Sequence, residues 1–200
     1  MKGPTRAQCA RCGLPQSVCL CHWIAPTDNT VPVLILQHPS EVQEAKGSVR
    51  LLGLSLAQCQ VEVGETFEPH ILQRWLDAAP HNVLLYPDED GVASAQAATI
   101  AATCQSVRLI VLDGTWRKSR KLLHLNPLLQ ALPRLALADL APSRYVIRKA
   151  HKAGQLSTLE ATCAALSQLE GNASRYAPLL TAFDQFIAHR GTLTPSIVGR

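Results

Sequence analysis

Arg108-Leu109-Ile110-Val111-Leu112-Asp113-Gly114-Thr115-Trp116-Arg117-Lys118-Ser119-Arg120-Lys121 is the stretch from which the fold of this chain is read. Four consecutive apolar residues, Leu109 to Leu112, spell a short strand buried on both faces. Asp113 and Gly114 end the strand, and Thr115 stands where a helix cap is expected. The helix that follows carries Trp116, Leu122 and Leu123 on one side and Arg117, Lys118, Arg120 and Lys121 around the rest. A carboxylate, a hydroxyl and an indole therefore leave the carboxyl end of a buried strand within four residues. In open α/β sheets that rim is where ligands sit. The plainer alternative is a strand–turn–helix junction with Asp-Gly as turn chemistry.

The pattern repeats on either side. Val33 to Gln37 is a second buried strand, followed by His38, Pro39, Ser40 and Glu41, with Ser40 placed to cap a helix running through Leu51 and Leu52 towards Leu56. Cys59 to Val63 reads as a short alternating strand, Pro69 opens a helix through Leu72, Trp75 and Leu76, and Val83 to Tyr86 forms a further strand. The acidic turn at Asp88 to Gly91 and the Ala-rich stretch behind it read as surface loop and helix. Later come a short helical turn between Pro127 and Pro133 and a strand from Arg134 to Ala138. A helix opens at Ser157, whose pairing with Glu160 makes a capping box, and Leu159, Ala165, Leu166 and Leu169 form its apolar stripe. Pro178 to Ile187 is a second amphipathic helix. Strands alternating with helices predict an α/β fold: a mainly parallel sheet with helices on both faces.

Two hundred residues at 47% hydrophobic and 17% charged can bury a real core and exclude wholesale disorder. Apolar runs stop well short of the ~20 residues needed to span a bilayer. The opening Met1 to Cys9 lacks the apolar centre of a signal peptide, so a cytoplasmic protein without membrane attachment is expected. Charge is unevenly placed. Nine Lys/Arg against one acid lie between Trp116 and Lys152, leaving ten basic and fourteen acidic residues for the rest of the chain. A segment so basic, including Arg117, Lys118, Arg120, Lys121, Arg144, Arg148 and Lys149, is the footprint of a polyanion site. A solvated helix face accounts for Arg117 to Lys121, but less well for Arg144, Arg148 and Lys149.

Cys9, Cys12, Cys19 and Cys21 form Cys-x2-Cys-x6-Cys-x-Cys in a stretch too rich in Pro and Gly to supply a core of its own. In a cytosolic setting such thiols favour metal over disulfides, and four sulfurs complete a tetrahedral Zn²⁺ shell with no position left for chemistry. The site is read as structural, with His22 an alternative to Cys21 as fourth ligand. Two units follow: a zinc-binding segment over residues 1–28 and an α/β domain over 29–200. Cys59, Cys104 and Cys163 stand in apolar surroundings and read as core.

Taken together, the cysteine cluster, Gln37-His38-Pro39-Ser40-Glu41, Leu84-Leu85-Tyr86-Pro87, Leu112 to Trp116, Ser143 to Arg148 and Leu156 to Ala161 resemble the DTW-domain family of tRNA-uridine aminocarboxypropyltransferases. Six short strings in the family's order cover roughly residues 9 to 170. Arg117 to Ser119 departs somewhat from the residues usual after the motif, which bears on substrate choice and not on reaction class. The resemblance implies a SPOUT-like fold whose carboxyl-terminal part is able to thread into a knot, one of the rare exceptions to ordinary topology. It also implies S-adenosylmethionine (SAM) as donor, tRNA as partner, and transfer of the 3-amino-3-carboxypropyl group to uridine N3. No Gly-x-Gly is present, so a pocket other than the Gly-rich nucleotide loop must hold the adenosine.

On that reading Asp113 is the general base, or else it orients the uridine or balances the sulfonium. Trp116 stacks on adenine or on the flipped uridine, or else anchors its helix in the core. His38, Glu41, Leu112, Thr115, Ser143 and Tyr145 fall on the cofactor side, and the basic residues hold tRNA phosphates. Ser157 and Glu160 stay ambiguous, since the capping box already accounts for them. Competing readings are a SPOUT-type RNA methyltransferase and a zinc-bearing RNA-binding module without catalysis. A monomer is expected.

Overall fold

The computed structural model describes residues 7–43, 48–87, 94–95, 97, 99–100, 106–137 and 156–192. In chain order its elements are β1 (Val33–Gln37), α1 (Ser48–Ser55), β2 (Cys59–Val63), α2 (Pro69–Leu76), β3 (His81–Leu85), β4 (Ser94–Ala95), β5 (Val107–Asp113), α3 (Trp116–Leu125), α4 (Pro127–Gln130), β6 (Arg134–Leu135), α5 (Thr158–Glu170) and α6 (Ala177–Thr192). The strands form one sheet in the order β2-β1-β5-β3-β6-β4, with every pairing parallel. The chain steps from β1 outward to β2, then crosses to β3 on the far side, and β5 fills the gap. The strand order therefore reverses at β1 and β5, which opens a crevice beyond their carboxyl ends.

Side-chain alternation builds a core on each face of the sheet. Val33, Ile35, Leu109 and Val111 point to one face, where α1, α5 and α6 supply Leu51, Leu52, Leu159, Leu166, Leu179 and Phe183. Leu34, Leu36, Ile110 and Leu112 point to the other, against Leu72 and Leu76 of α2, Leu122 and Leu123 of α3, and Leu129 of α4. Each fully buried leucine contributes about 1.5–3 kcal/mol of transfer free energy. Helices on both faces of a parallel sheet are therefore what the alternating pattern predicted.

Helix α5 lies antiparallel to the strands, and polar contacts at its two ends hold it there. At its carboxyl end the Glu170 carboxylate accepts the backbone N–H groups of Thr30 and Val31, just ahead of β1, together with Arg175 Nη1 and the Tyr176 hydroxyl. Gly171 closes the helix at φ +62°, a left-handed conformation that favours glycine. At the amino end Ser157 and Glu160 form the expected capping box, and α5 begins over the carboxyl ends of the strands.

Several local expectations are corrected. Pro39–Glu41 is a 3-10 turn capped by His38, whose ring nitrogen accepts the Ser40 N–H, so Ser40 lies inside that turn and does not cap α1. In the Ala-rich stretch read as helix, Ser94–Ala95 form a strand paired with β6, and Ala97, Thr99 and Ile100 behind it are helical. β6 covers only Arg134–Leu135, and β2 is half-buried along most of its length rather than alternating. Cys163 is fully buried as expected, Cys59 is half-buried against the core, and Cys104 lies outside the described residues.

The amino-terminal segment packs onto the first core face: Cys12 and Leu20 are buried in it, and Leu14 and Trp23 lie against it. Among the described residues no helix is long and apolar enough to cross a membrane.

Candidate functional site

Gln37 and Asp113 end the adjacent strands β1 and β5 as register partners, so both side chains project to the face that carries α5. Asp113 is only 7% exposed. Its Oδ2 accepts Gln37 Nε2 at 2.9 Å and its Oδ1 accepts Thr158 Oγ1 at 2.6 Å. Burial pushes the Asp113 carboxyl above the usual carboxylate range, against the lowering effect of those two hydrogen bonds; Glu41 adds to the rise and Lys118 opposes it. The next residue, Gly114, lets the strand turn into α3 under close contact. A Cβ there would stand 3.0 Å from Lys118 Cβ and 3.6 Å from His38 Cβ.

Asp113 lines a cavity of about 590 Å³ at the β1/β5 crevice. Glu41, Thr115 and Lys118 line it from the strand-to-helix junctions, Thr158 from the amino end of α5, and Phe183 from α6. Lys118 Nζ is paired with Glu41 Oε1 at 2.7 Å. Of the residues assigned to the donor from sequence, Glu41 and Thr115 are thus brought to one cavity with Asp113. Leu112 is buried in the core on the opposite face of the sheet. Thr115 occupies the cap position of α3 without making a side-chain capping bond, which leaves its exposed hydroxyl to the rim.

His38 is turned outward from this cavity into a second network. Its Nδ1 accepts the Ser40 N–H, so in the neutral ring Nε2 carries the proton and donates to Glu65 Oε1 at 2.8 Å. Glu65 Oε2 meets Lys121 Nζ at 2.8 Å, and the contacts with Lys121 and His38 hold the Glu65 carboxyl below the usual carboxylate range. Buried Asn126 ties this loop to the end of α3, accepting the Phe67 N–H and donating to the carbonyls of Glu65 and Leu122.

Trp116 does not anchor α3 in the core. It is 48% exposed, and its ring stacks on that of buried Tyr86 with centroids 5.3 Å apart and planes 15° from parallel. Arg134 lies over the Tyr86 ring at 5.0 Å. An indole held on a stiff aromatic layer at the rim is suited to stack a base. Of the basic residues on α3, Lys118 and Lys121 are engaged with Glu41 and Glu65, and Arg117 and Arg120 are exposed. Ser143, Arg144, Tyr145, Arg148 and Lys149 lie outside the described residues.

The four cysteines meet. All four sulfurs lie within 4.8 Å of one another, with Cys9 Sγ 3.6 Å from Cys21 Sγ and Cys12 Sγ 3.7 Å from Cys19 Sγ. Thiolates at ~2.3 Å from a tetrahedral zinc would stand ~3.8 Å apart, so the donor set fits such an ion closely. Gly13, at φ +68°, makes the turn that returns its N–H to the Cys9 carbonyl. Backbone amides of Cys12 and Arg11 lower the Cys9 thiol to about 6, whereas burial and the neighbouring sulfurs push Cys21 up to about 12. His22 is exposed with its ring edge against Trp23, and the cluster closes on Cys21 instead.

Sequence reasoning assigned no role to Gln37, Thr158, Arg50 or Glu65. Gln37 and Thr158 sit inside strings it had singled out, and the period of two along β1 and β5 was the signal that pairs Gln37 with Asp113.

The match to the DTW domain extends over residues 6–191. The chain is 31% identical over 175 residues to tRNA-uridine aminocarboxypropyltransferase 2 of Macaca fascicularis, covering 84% of this chain and 58% of that protein. It is 33% identical over 173 residues to the protein of the same name in Drosophila melanogaster, covering 82% and 67%, and 30% identical over 173 residues to that of Mus musculus, covering 84% and 58%. The chain thus spans a little over half the length of the mammalian relatives it matches. No solved structure matches it. With the domain match running over nearly the whole chain, this protein belongs to the DTW-domain family.

Proposed function

We propose that this chain is a SAM-dependent transferase that moves the 3-amino-3-carboxypropyl group onto N3 of a uridine in tRNA, releasing methylthioadenosine. The observation that carries the reading is Asp113: a carboxylate at the switch point of the sheet, lining a cavity, with each oxygen oriented by one hydrogen bond. Relatives at 31% and 33% identity bear the name tRNA-uridine aminocarboxypropyltransferase 2, which supplies the reaction class.

In this mechanism Asp113 takes the imide proton of the uridine as N3 attacks the γ-carbon of the donor. The sulfur–carbon bond breaks and its electron pair stays on sulfur. Burial serves this role by raising the basicity of a carboxylate that at a pKa of ~3.9 would be a weak base. Gln37 and Thr158 hold the carboxylate in one orientation while leaving each oxygen a further lone pair. Glu41 and Thr115 line the donor side, and His38 positions the Pro39–Glu41 turn through its bonds to Ser40 and Glu65. Trp116 receives the flipped base at the rim. Arg117, Arg120 and Lys121 face the tRNA phosphates while Lys118 stays paired with Glu41 at the cavity; Ser143 and Tyr145 are assigned to the donor and Arg144, Arg148 and Lys149 to the tRNA by their place in the family's strings.

The Cys9/Cys12/Cys19/Cys21 set suits a structural Zn²⁺, since four protein ligands leave no open position. On this reading residues 1–28 are a zinc-binding segment appended to an α/β domain over 29–200. A SPOUT-like assignment is supported by the parallel sheet and its crevice at β1/β5. Residues 138–155, on which the course of the chain between β6 and α5 depends, lie outside the described residues. Monomeric action in the cytoplasm completes the proposal.

Incubation with SAM and unmodified tRNA tests it. Methylthioadenosine and an aminocarboxypropylated uridine by nucleoside mass spectrometry are the expected products. S-adenosylhomocysteine with a methylated base would show a methyltransferase instead, and tRNA binding without any modified nucleoside would show a binding module.

A further inference from the structure

We propose that Arg50, on α1, anchors the carboxylate of the donor's amino-acid end inside the cavity. The inference rests on the donor reading above and assigns one contact within it.

Arg50 lines the cavity and is half-buried. Its Nη1 donates to the Cys12 carbonyl at 3.0 Å and its Nη2 to the Val42 carbonyl at 3.2 Å. Both partners are neutral, and among the described residues no carboxylate reaches the guanidinium. The other cations of the cavity are differently placed: Lys118 is neutralised by Glu41, and Arg190 lies over the Phe186 ring at 5.8 Å. A guanidinium withdrawn from water without an anion is unfavourable, and two of its five N–H donors are already fixed by carbonyls. It is thereby oriented before any ligand arrives, with donors to spare for a planar, two-oxygen acceptor.

The cavity therefore has a cationic pole at Arg50 and an anionic one at Asp113. A ligand with a carboxylate at one end and a sulfonium or ammonium nearby is complementary to both. The positioning is also tied to the cysteine knuckle. Cys12 supplies the carbonyl, and the turn at Gly13 packs against the guanidinium, a Cβ there standing 3.9 Å from Nη1.

The test is calorimetric binding by the full chain of three probes: SAM, decarboxylated SAM and 5′-methylthioadenosine. The wild type should prefer SAM over its decarboxylated form by roughly tenfold or more, the scale of a charge-assisted bidentate contact. Arg50→Gln should lose that preference while binding 5′-methylthioadenosine as the wild type does, which also shows that it folds. Arg50→Lys should recover part of the preference. If Arg50→Gln still discriminates like the wild type, the anchor is elsewhere. If the wild type binds SAM and decarboxylated SAM equally, the assignment falls without any variant. A wild type that binds 5′-methylthioadenosine and SAM but fails here leaves the donor reading standing; one that binds no probe overturns both.

Discussion

Thr158 Oγ1 lies 2.6 Å from Asp113 Oδ1, so the first turn of α5 is hydrogen-bonded to the last residue of β5 across 45 positions of the chain. That contact places a carboxylate between the helix amino terminus and the mouth of the cavity. It also opposes the rise in pKa that burial imposes.

Asp113→Asn keeps the shape and removes the base. Turnover is expected to fall by ~10²–10⁴-fold, measured as methylthioadenosine release under saturating SAM. An acid raised in the folded state contributes stability below its unfolded value of ~3.9, and that stability is lost as pH rises through the folded value. Asp113→Asn should therefore melt at or above the wild-type temperature at neutral pH, with the difference shrinking as pH falls towards that unfolded value. A lower melting temperature at neutral pH, measured by calorimetry, would contradict the electrostatic account.

Metal removal should be felt at the cavity as well as at the knuckle. The purified chain is expected to carry about one zinc, read by elemental analysis, and Cys12→Ser to lose it. Because Leu14, Pro15 and Val18 form part of the cavity wall, chelation should weaken donor binding before it unfolds the sheet. Donor affinity unchanged after complete zinc loss would separate the two sites.

Trp116→Ala should raise the KM for tRNA by roughly 5–150-fold, corresponding to a base stack of ~1–3 kcal/mol, with little change in melting temperature because the ring is 48% exposed. Trp116→Phe should retain part of the effect. A large loss of stability with unchanged KM would return the indole to a packing role.

The basic helix should divide by partner. Arg117→Ala is expected to weaken tRNA binding and reduce the slope of log affinity against log salt by about 0.7–0.9, the share of one phosphate contact. Lys118→Ala should change that slope little and act instead on donor KM, since its loss leaves Glu41 uncompensated beside Asp113. Filter binding across a salt series distinguishes them.

Much of this architecture was legible in the chain. Leu109 to Leu112 and Val33 to Gln37 are strands because both faces of each are covered, and a run of branched apolar residues records that directly. The capping box at Ser157 and Glu160 and the cysteine cluster are local spacings, and both took the form expected. Trp116 was harder. Its place on the apolar side of the helical pattern says that it faces the sheet, but whether it reaches a core depends on Tyr86, 30 positions away and just past the end of β3, on which it stacks. Ser40 was assigned to the wrong helix because a 3-10 turn capped by a histidine ring has no strong sequence signal.

Sequence alone determined most of the elements, the alternation that sends Gln37 and Asp113 to one face, and the thiol set for a metal, since each depends on spacing over a few residues. Tertiary structure alone decided which polar groups meet: Lys118 with Glu41, Lys121 with Glu65, Thr158 with Asp113, and Arg50 with the Cys12 and Val42 carbonyls and, among the described residues, no carboxylate. Those pairings join residues far apart in the chain, and local periodicity carries no information about contacts that only the order of strands in a sheet creates.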